Sequence, residues 1–129
     1  MDESDYALTD LQLAMMRVLW LTPEATVSEV HAALHEERGL AMTTVATVLK
    51  RLENRGLVRH RSEGRQYVYR AAVSEKEVRR SMVSQLMDRL FQGDVTALVS
   101  HLLTDRAIEA GDLASVKKLL AQHEGEDES

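Results

Sequence analysis

Apolar and polar side chains separate onto two sides of a helix in the stretch 40–56. The apolar side, at helical spacing, contains Met42, Val45, Leu49 and Leu52. The opposite side carries short hydroxyl groups near its beginning and cations further along, at Thr43, Thr47, Lys50, Arg51 and Asn54. This pattern predicts an amphipathic helix that packs one face against a core and presents a polar face without acids. Gly56 follows the last turn, where a C-terminal cap is favoured.

Two further helices are predicted before this one, each beginning with a capping box. The capping pairs are Thr9 with Gln12 and Thr26 with Glu29. The first helix covers Thr9–Leu21 and ends at Thr22-Pro23, and the second runs from Thr26 or Ser28 to Arg38. The inward-facing residues are Leu11, Met15, Val18 and Leu19, with Trp20 as a core anchor, and then Val27, Val30 and Leu34. The short turn between the second and third helices predicts a helix-turn-helix.

A β-hairpin is predicted directly after the amphipathic helix. Two short β-prone runs, 57–61 and 65–71, flank the turn Ser62-Glu63-Gly64. In the second run Tyr67, Tyr69 and Ala71 alternate with Gln66, Val68 and Arg70. A hairpin in this position is typical of the wing of a winged helix. The cations near its tip are Arg59, Arg61 and Arg65.

Three more helices are predicted in the last part of the chain. The first begins with a capping box of Ser74 and Glu77 and ends at Gly93, the second is capped by Asp94, and the third lies near 109–123. These helices are too few to bury their own apolar faces, so a second copy of the chain is the predicted partner. The residues assigned to this dimer interface are Met82, Leu86, Leu90, Leu98 and Leu102.

The predicted fold is therefore mainly α with a small β-hairpin, a winged helix-turn-helix followed by a helical dimerisation region. The winged helix is assigned to residues 9–72 and the dimerisation domain to residues 73–123. All core residues of the winged helix should then precede residue 73. Disorder is predicted for residues 1–8 and 124–129.

The charge distribution contains one positive block. The net charge of the whole chain is −5, yet residues 38–70 hold eight cations and two acids, a net charge of +6. Residues 1–37 carry −7 and residues 71–129 carry −4. A positive block inside an acidic chain indicates a localised anion-binding surface.

Double-stranded DNA is the predicted partner of this surface. The amphipathic helix would enter the major groove with Thr43, Thr44 and Thr47 near base edges, although Thr44 is alternatively a cap or a phosphate contact. The predicted phosphate contacts come from Lys50, Arg51, Arg59, Arg61 and Arg65. A two-fold dimer would place two such helices about one DNA turn, roughly 34–36 Å, apart, which predicts an inverted-repeat operator.

Composition argues against several classes of protein. There is no cysteine, hence no disulfide and no thiolate metal site. No catalytic set can be placed, so neither an enzyme nor a cofactor is predicted. His31 and His35 have the i, i+4 spacing of a metal pair, but without a third ligand two surface histidines are the commoner explanation. No apolar run approaches a membrane span and the acidic start is not a signal peptide, so we expect a soluble cytoplasmic protein.

The chain resembles a known family, the penicillinase and methicillin-resistance repressors of the BlaI/MecI type, from Leu8 to about Leu120. The matching residues are Leu8-Thr9 with Met15, Val18 and Trp20; Thr43-Thr44-Val45, Thr47-Val48-Leu49 and Arg51-Leu52; Arg55-Gly56-Leu57; Gly64-Arg65 with Tyr67 and Tyr69; Val73-Ser74; and the stretch 93–100. The resemblance implies a dimeric winged-helix repressor that binds an inverted-repeat operator.

Two differences from these relatives bear on how such a repressor is released. The copper-responsive relatives carry a cysteine-rich C-terminal tail, so metal sensing by that route is excluded in a chain without cysteine. The β-lactam-responsive relatives are inactivated when a membrane sensor-protease system cuts an Asn-Phe bond in the dimerisation helices. The matching positions here are His101-Leu102, so the resemblance implies cleavage at a bond of different composition.

Two alternative functions remain open from the sequence. One is a winged-helix regulator induced by a small molecule, for which the sequence offers no obvious apolar pocket with convergent polar groups. The other is a protein-interaction module without DNA, which predicts no salt-dependent binding of duplexes.

Overall fold

The computed structural model describes residues 6–105 and 108–128, without the side chains of residues 126–128. Its elements are α1 (Asp10–Leu21), β1 (Ala25–Thr26), α2 (Val27–Arg38), α3 (Met42–Asn54), β2 (Val58–Glu63), β3 (Gln66–Ala71), α4 (Glu75–Phe91), α5 (Val95–Thr104) and α6 (Ala110–Glu128). The chain divides into two compact units, one ending at Gln85 and one beginning at Leu86. The mainly α class with a small sheet is confirmed. None of the described helices is long and apolar enough to cross a membrane.

Capping boxes begin α1 and α2 as predicted. The Gln12 backbone N–H donates to Thr9 Oγ1 at 3.2 Å, and the Thr9 N–H donates to Gln12 Oε1 at 3.0 Å. Thr26 and Glu29 make the same reciprocal pair at 3.2 and 2.8 Å. Gly39 ends α2 in the left-handed conformation, with φ +57°, which glycine adopts without steric cost. These predicted helix ends are confirmed. They could be predicted because each depends on residues that are neighbours in the sequence.

The wing belongs to a three-stranded antiparallel sheet with the order β1-β3-β2. β2 and β3 form the predicted hairpin, but its turn is Gly64-Arg65 and not Ser62-Glu63-Gly64. Ser62 and Glu63 extend β2, where they pair with Tyr67 and Gln66. Gly64 opens the turn with φ +64°, a position at which tight hairpin turns favour glycine. The edge strand β1, which pairs with Val68 and Tyr69 of β3, was not predicted, because two residues carry no alternating pattern.

The core of the first unit is built from the inward faces of α1, α2 and α3 and the inner face of the sheet. Its largest fully buried side chains are Met15, Met16, Val30, Val45, Leu49, Leu52, Leu57, Val58 and Val78. Complete burial of one such side chain contributes roughly 1.5–3 kcal/mol. Trp20 packs against this core, and its indole N–H donates to the Val73 carbonyl at 3.0 Å.

The buried stripe of α3 differs from the prediction at one position. Val45, Leu49 and Leu52 are buried as predicted, and Val48 joins them, whereas Met42 is 43% exposed. Met42 is the first residue of α3 and follows the exposed Ala41, so the packed surface begins one turn later.

The core also continues past the predicted end of the winged helix. Val73 and Val78, at 9% and 1% exposure, belong to the same buried cluster. The prediction that all core residues precede residue 73 is therefore wrong. The apolar face of α4 is continuous in the sequence, so its pattern does not mark which turns pack against the winged helix.

Both chain ends are more regular than predicted. The Tyr6 N–H donates to Ser81 Oγ at 3.0 Å, and Tyr6 and Leu8 pack against the core, which corrects the predicted disorder of residues 6–8. Residues 1–5 of that predicted arm lie outside the described residues. At the other end α6 continues to Glu128, where disorder was predicted from residue 124, and Ser129 lies outside the description. Gly125 costs only about 1 kcal/mol within a helix, too little to end one here.

Val78→Ala should lower the free energy of unfolding by roughly 2 kcal/mol, because two buried methyl groups are lost and a cavity remains. Leu21→Ala is the control: it removes more atoms, but Leu21 is 87% exposed, so the change should stay below about 0.5 kcal/mol. Urea unfolding followed by circular dichroism measures both variants. A loss of unfolding free energy in Val78→Ala as small as that expected for Leu21→Ala would contradict the burial of Val78 in the core.

Candidate nucleic-acid interface

The outward face of α3 brings the three predicted base-contacting threonines onto one concave surface. Thr43, Thr44, Thr47, Val48 and Arg51 line a shallow cavity of about 290 Å³. This face has a fixed direction because Val45, Leu49 and Leu52 on the opposite side are fully buried. The polar pattern of α3 therefore becomes a single surface that points away from the core.

The threonine hydroxyls of this surface are available to a ligand. Thr43, Thr44 and Thr47 are exposed, and among the described residues none of their hydroxyls has a hydrogen-bond partner. The helix cap lies at Ala41, which makes no side-chain capping bond. Thr44 therefore does not cap α3, so a base contact and a phosphate contact remain the two predictions for it.

Five exposed cations lie on α3 or in the wing. They are Lys50, Arg51, Arg59, Arg65 and Arg70. All five are exposed, and the salt bridges between described residues involve none of them. Arg65 lies in the hairpin loop and also lines a groove of about 320 Å³ beside Thr26 and Ser28 at the start of α2. Four of the five predicted phosphate-contacting residues are thus exposed and unpaired within the described part of the chain.

The strand register places the other wing arginines on one side of the sheet. Arg59 lies opposite Arg70, and Arg61 lies opposite Val68. Alternate residues of a strand share a face, so these three arginines point to the side opposite Tyr69, which packs into the core. The outward side of the wing is therefore the positive side.

Arg61, the fifth predicted phosphate contact, has carboxylate partners within the protein. Its Nε and Nη2 donate to the two carboxylate oxygens of Glu24, both at 2.9 Å. Its Nη1 lies 2.7 Å from Glu63 Oε2. The hydrogen bond from Arg61 lowers the pKa of Glu24, and the hydrogen bonds to Glu24 and Glu63 raise the pKa of Arg61. The sequence did not reveal this arrangement, because Glu24 lies 37 residues before Arg61.

A second unpredicted contact joins α3 to the wing. His60 Nδ1 lies 2.6 Å from Glu53 Oε2 and 2.8 Å from Oε1. The His60 ring stacks on Tyr67 with 4.0 Å between centroids. Burial raises the pKa of Tyr69, and the nearby Glu53 carboxylate adds to that shift. The only sequence signal was that Glu53, the single acid of α3, lies off the polar face.

The histidine pair of α2 has a structural contact of its own. His31 Nε2 lies 2.8 Å from the Leu40 carbonyl oxygen, so that nitrogen is the donor of a protein hydrogen bond. The His31 and His35 ring centroids are 5.3 Å apart. No cluster of three or more metal-binding side chains occurs in the described part of the chain.

The chain is similar to several known proteins along most of its length. The penicillinase repressor family model matches residues 8–122. The transcriptional regulator BlaI of Mycobacterium tuberculosis (strain ATCC 25618 / H37Rv) is 34% identical over 119 residues, which are 91% of this chain and 85% of the relative. The penicillinase repressor of Bacillus licheniformis is 23% identical over 116 residues, 90% of this chain and 91% of the relative. A solution structure of the DNA-binding domain of the repressor BlaI is 29% identical, with a TM-score of 0.52, and covers 57% of this chain and 89% of its own.

The Glu24–Arg61 pair should make stability depend on acid pH. Because the pKa of Glu24 is lowered in the folded protein, its contribution is present at neutral pH and is lost as the pH falls through the folded value. Glu24→Gln should therefore melt at a lower temperature than the wild type at pH 7, and the two midpoints should converge as the pH falls through the lowered pKa of Glu24. Thermal denaturation between pH 3 and pH 7 measures the difference. Midpoints that differ equally at both ends of this range would contradict an ionised pair.

Proposed function

The chain belongs to the penicillinase repressor family, a family of transcriptional repressors, and we propose that it binds duplex DNA with the outward face of α3 in the major groove. The observation that supports this most strongly is the α3 face itself. Thr43, Thr44, Thr47 and Arg51 share one exposed concavity, and α3 lies within the only positive block of the sequence, residues 38–70. Repression of this kind places the protein in the cytoplasm with the DNA that it binds.

The two groups of residues in this surface have different tasks. Threonines near the beginning of a groove-inserted helix reach base edges, where a threonine methyl also contacts a thymine methyl. Lys50 and Arg51 lie further along α3, and Arg59 and Arg65 lie in the wing, so they contact phosphates. Base contacts give sequence preference, and phosphate contacts give affinity that falls as salt concentration rises.

The second unit provides the dimer contact in this proposal. No described side chain of α5 or α6 is buried. Large apolar side chains of this unit are exposed at Leu86, Leu90, Val95, Val99, Leu103, Val116, Leu119 and Leu120. So many exposed apolar side chains are typical of a protein–protein interface. Of the residues predicted for it, Leu86 and Leu90 are exposed, Leu98 and Leu102 are partly buried, and Met82 packs against the winged-helix core.

A two-fold dimer through these residues fits an inverted-repeat operator. The two α3 helices of such a dimer would contact successive major grooves about 34–36 Å apart. Each half-site would then be bound by one chain, and the link between the chains raises the affinity of the pair by effective concentration.

In this proposal the repressor is released from DNA when its dimerisation helices are cleaved. His101 is exposed and lies in the last turn of α5, with His101 Nε2 3.1 Å from Asp105 Oδ2. A membrane sensor-protease system that leads to a cut at His101-Leu102 would separate Leu103 and α6 from Leu86 and Leu90. Helix ends open at a lower free-energy cost than helix centres, so this bond is more accessible than one in the middle of α5.

Thr47→Ala and Arg65→Ala should weaken DNA binding in different ways. Thr47→Ala should cost roughly 1–3 kcal/mol on an operator selected from random duplexes and little on unrelated DNA, because it removes a base contact. Arg65→Ala should weaken binding to both duplexes and reduce the salt slope by about one, because it removes a phosphate contact. Fluorescence anisotropy at several salt concentrations measures both effects.

The control for this pair is Thr96→Ala, an exposed threonine of α5 that should leave both affinities unchanged. Equal losses from Thr47→Ala on operator and unrelated DNA would assign Thr47 to positioning. An unchanged salt slope in Arg65→Ala would remove the wing loop from the interface.

Leu90→Glu should convert the dimer to a folded monomer, because Leu90 is 70% exposed within one chain and a charge would be buried at the contact. Leu21→Glu is the matched control: Leu21 is 87% exposed in the first unit, so this variant should remain dimeric. Sedimentation velocity measures the state of each, and operator affinity should fall only in Leu90→Glu. A dimeric Leu90→Glu protein would show that the interface lies elsewhere.

In cells of the native host exposed to a β-lactam, a cut at His101-Leu102 should produce a fragment that ends at His101. Intact-mass measurement of the repressor during induction detects it, because loss of the downstream segment should coincide with expression of the target genes. A full-length, dimeric repressor while those genes are expressed would contradict release by cleavage.

A further inference from the structure

The Arg61–Glu24 pair connects the two sides of the sheet. Arg61 is on β2, Glu24 immediately precedes β1, and β3 lies between these strands. The bidentate contact of Arg61 with Glu24, at 2.9 Å for both bonds, therefore passes over β3. The residue of β3 at this level is Val68, which pairs with Arg61 on one side and Thr26 on the other.

The burial of Val68 supports this crossing. Val68 is only 7% exposed, although it lies on the outward side of the sheet and is absent from the main core cluster. A side chain that spans from β2 to β1 over Val68 explains this burial, because the aliphatic part of arginine covers apolar surface while its guanidinium stays polar. The Arg61–Glu24 pair thus links the wing to the residue that precedes the edge strand β1.

The guanidinium of Arg61 is also surrounded by negative charge. The Glu24 carboxylate accepts hydrogen bonds from Nε and Nη2. These two donors form the planar pair that would otherwise bind a phosphate. Glu63 lies 2.7 Å from Nη1. Two carboxylates therefore pair with this one guanidinium, and the charge of Arg70 also acts on Glu24. Arg59, on the same side, has no salt bridge with a described residue.

We propose that Glu24 and Glu63 withhold Arg61 from the DNA backbone, so that Arg61 acts as a positioning residue that holds the wing against β1. This inference rests on the proposed DNA-binding function and refines it. The phosphate contacts of the wing then come from Arg59, Arg65 and Arg70. Each phosphate contact adds affinity regardless of sequence, so the withheld arginine lowers non-specific binding while the fixed wing keeps its orientation.

The salt dependence of binding to an unrelated duplex tests this proposal. Arg61→Gln, which keeps part of the aliphatic stem, should leave the wild-type salt slope unchanged. The double substitution Glu24→Gln with Glu63→Gln should free Arg61 and steepen the slope by about 0.9, the value for one added phosphate contact. Adding Arg61→Gln to that double variant should return the slope to the wild-type value. Arg65→Gln is the matched control and should flatten the slope by about 0.9 in both backgrounds.

Two outcomes of these slopes would overturn the proposal. Arg61→Gln that flattens the wild-type slope as much as Arg65→Gln does would show that Arg61 contacts a phosphate directly. An unchanged slope in the double carboxylate variant would show that Glu24 and Glu63 withhold nothing. The loss of two negative charges could by itself steepen the slope. Adding Arg61→Gln to the double variant separates the two causes, because it removes only the part of the change that a freed Arg61 produces.

A measurement without DNA separates this proposal from the proposed function. In the free protein the Arg61 Nε–H should give a nuclear magnetic resonance signal that exchanges slowly with water, and Glu24→Gln should make that exchange fast. A fast-exchanging signal in the wild type would overturn the positioning role even if DNA binding is normal. A wild type with the slow signal but no salt-dependent duplex binding would instead refute the proposed function, and with it the withholding of Arg61 from DNA.

Discussion

The burial of one face of α3 is the constraint on which the proposed DNA surface depends. Val45, Leu49 and Leu52 have no exposed surface, and the burial of each contributes roughly 1.5–3 kcal/mol. Rotation of α3 about its axis would expose these side chains, so the opposite face has only one orientation. The Glu53–His60 contact, at 2.6 Å, fixes the C-terminal end of the same helix against the wing. The buried face of α3 therefore fixes the direction of its polar face, and the Glu53–His60 contact positions the wing against the same helix.

The parts of the fold that follow from neighbouring residues could be predicted from the sequence. The capping boxes at Thr9 and Thr26 involve partners three residues away, and the helix end at Gly39 depends on one backbone conformation. The hairpin follows from alternation around Gly64. The polar face of α3 follows from helical periodicity alone, which is why the three threonines were found together on one surface.

The features that sequence reasoning missed all depend on contacts between distant residues. Arg61 looked like its neighbours Arg59 and Arg65 in the sequence, but of these three only Arg61 forms salt bridges with described carboxylates, and one of these comes from residue 24. Likewise Val78 joins the core because α4 returns to the winged helix, and a continuous apolar stripe cannot show where that contact ends. A charge count such as +6 for residues 38–70 therefore overstates the number of cations that are free for DNA.

We propose that the polar face of α3 is the surface that binds DNA. Nuclear magnetic resonance of threonine methyl groups, recorded while a selected operator duplex is added, tests this most directly, because threonines occur on this face and elsewhere. We predict large shifts for the methyl groups of Thr43, Thr44 and Thr47, with those of Thr9, which caps α1, and Thr96 on α5 unchanged. Unshifted α3 methyl groups in the presence of bound operator would contradict the claim.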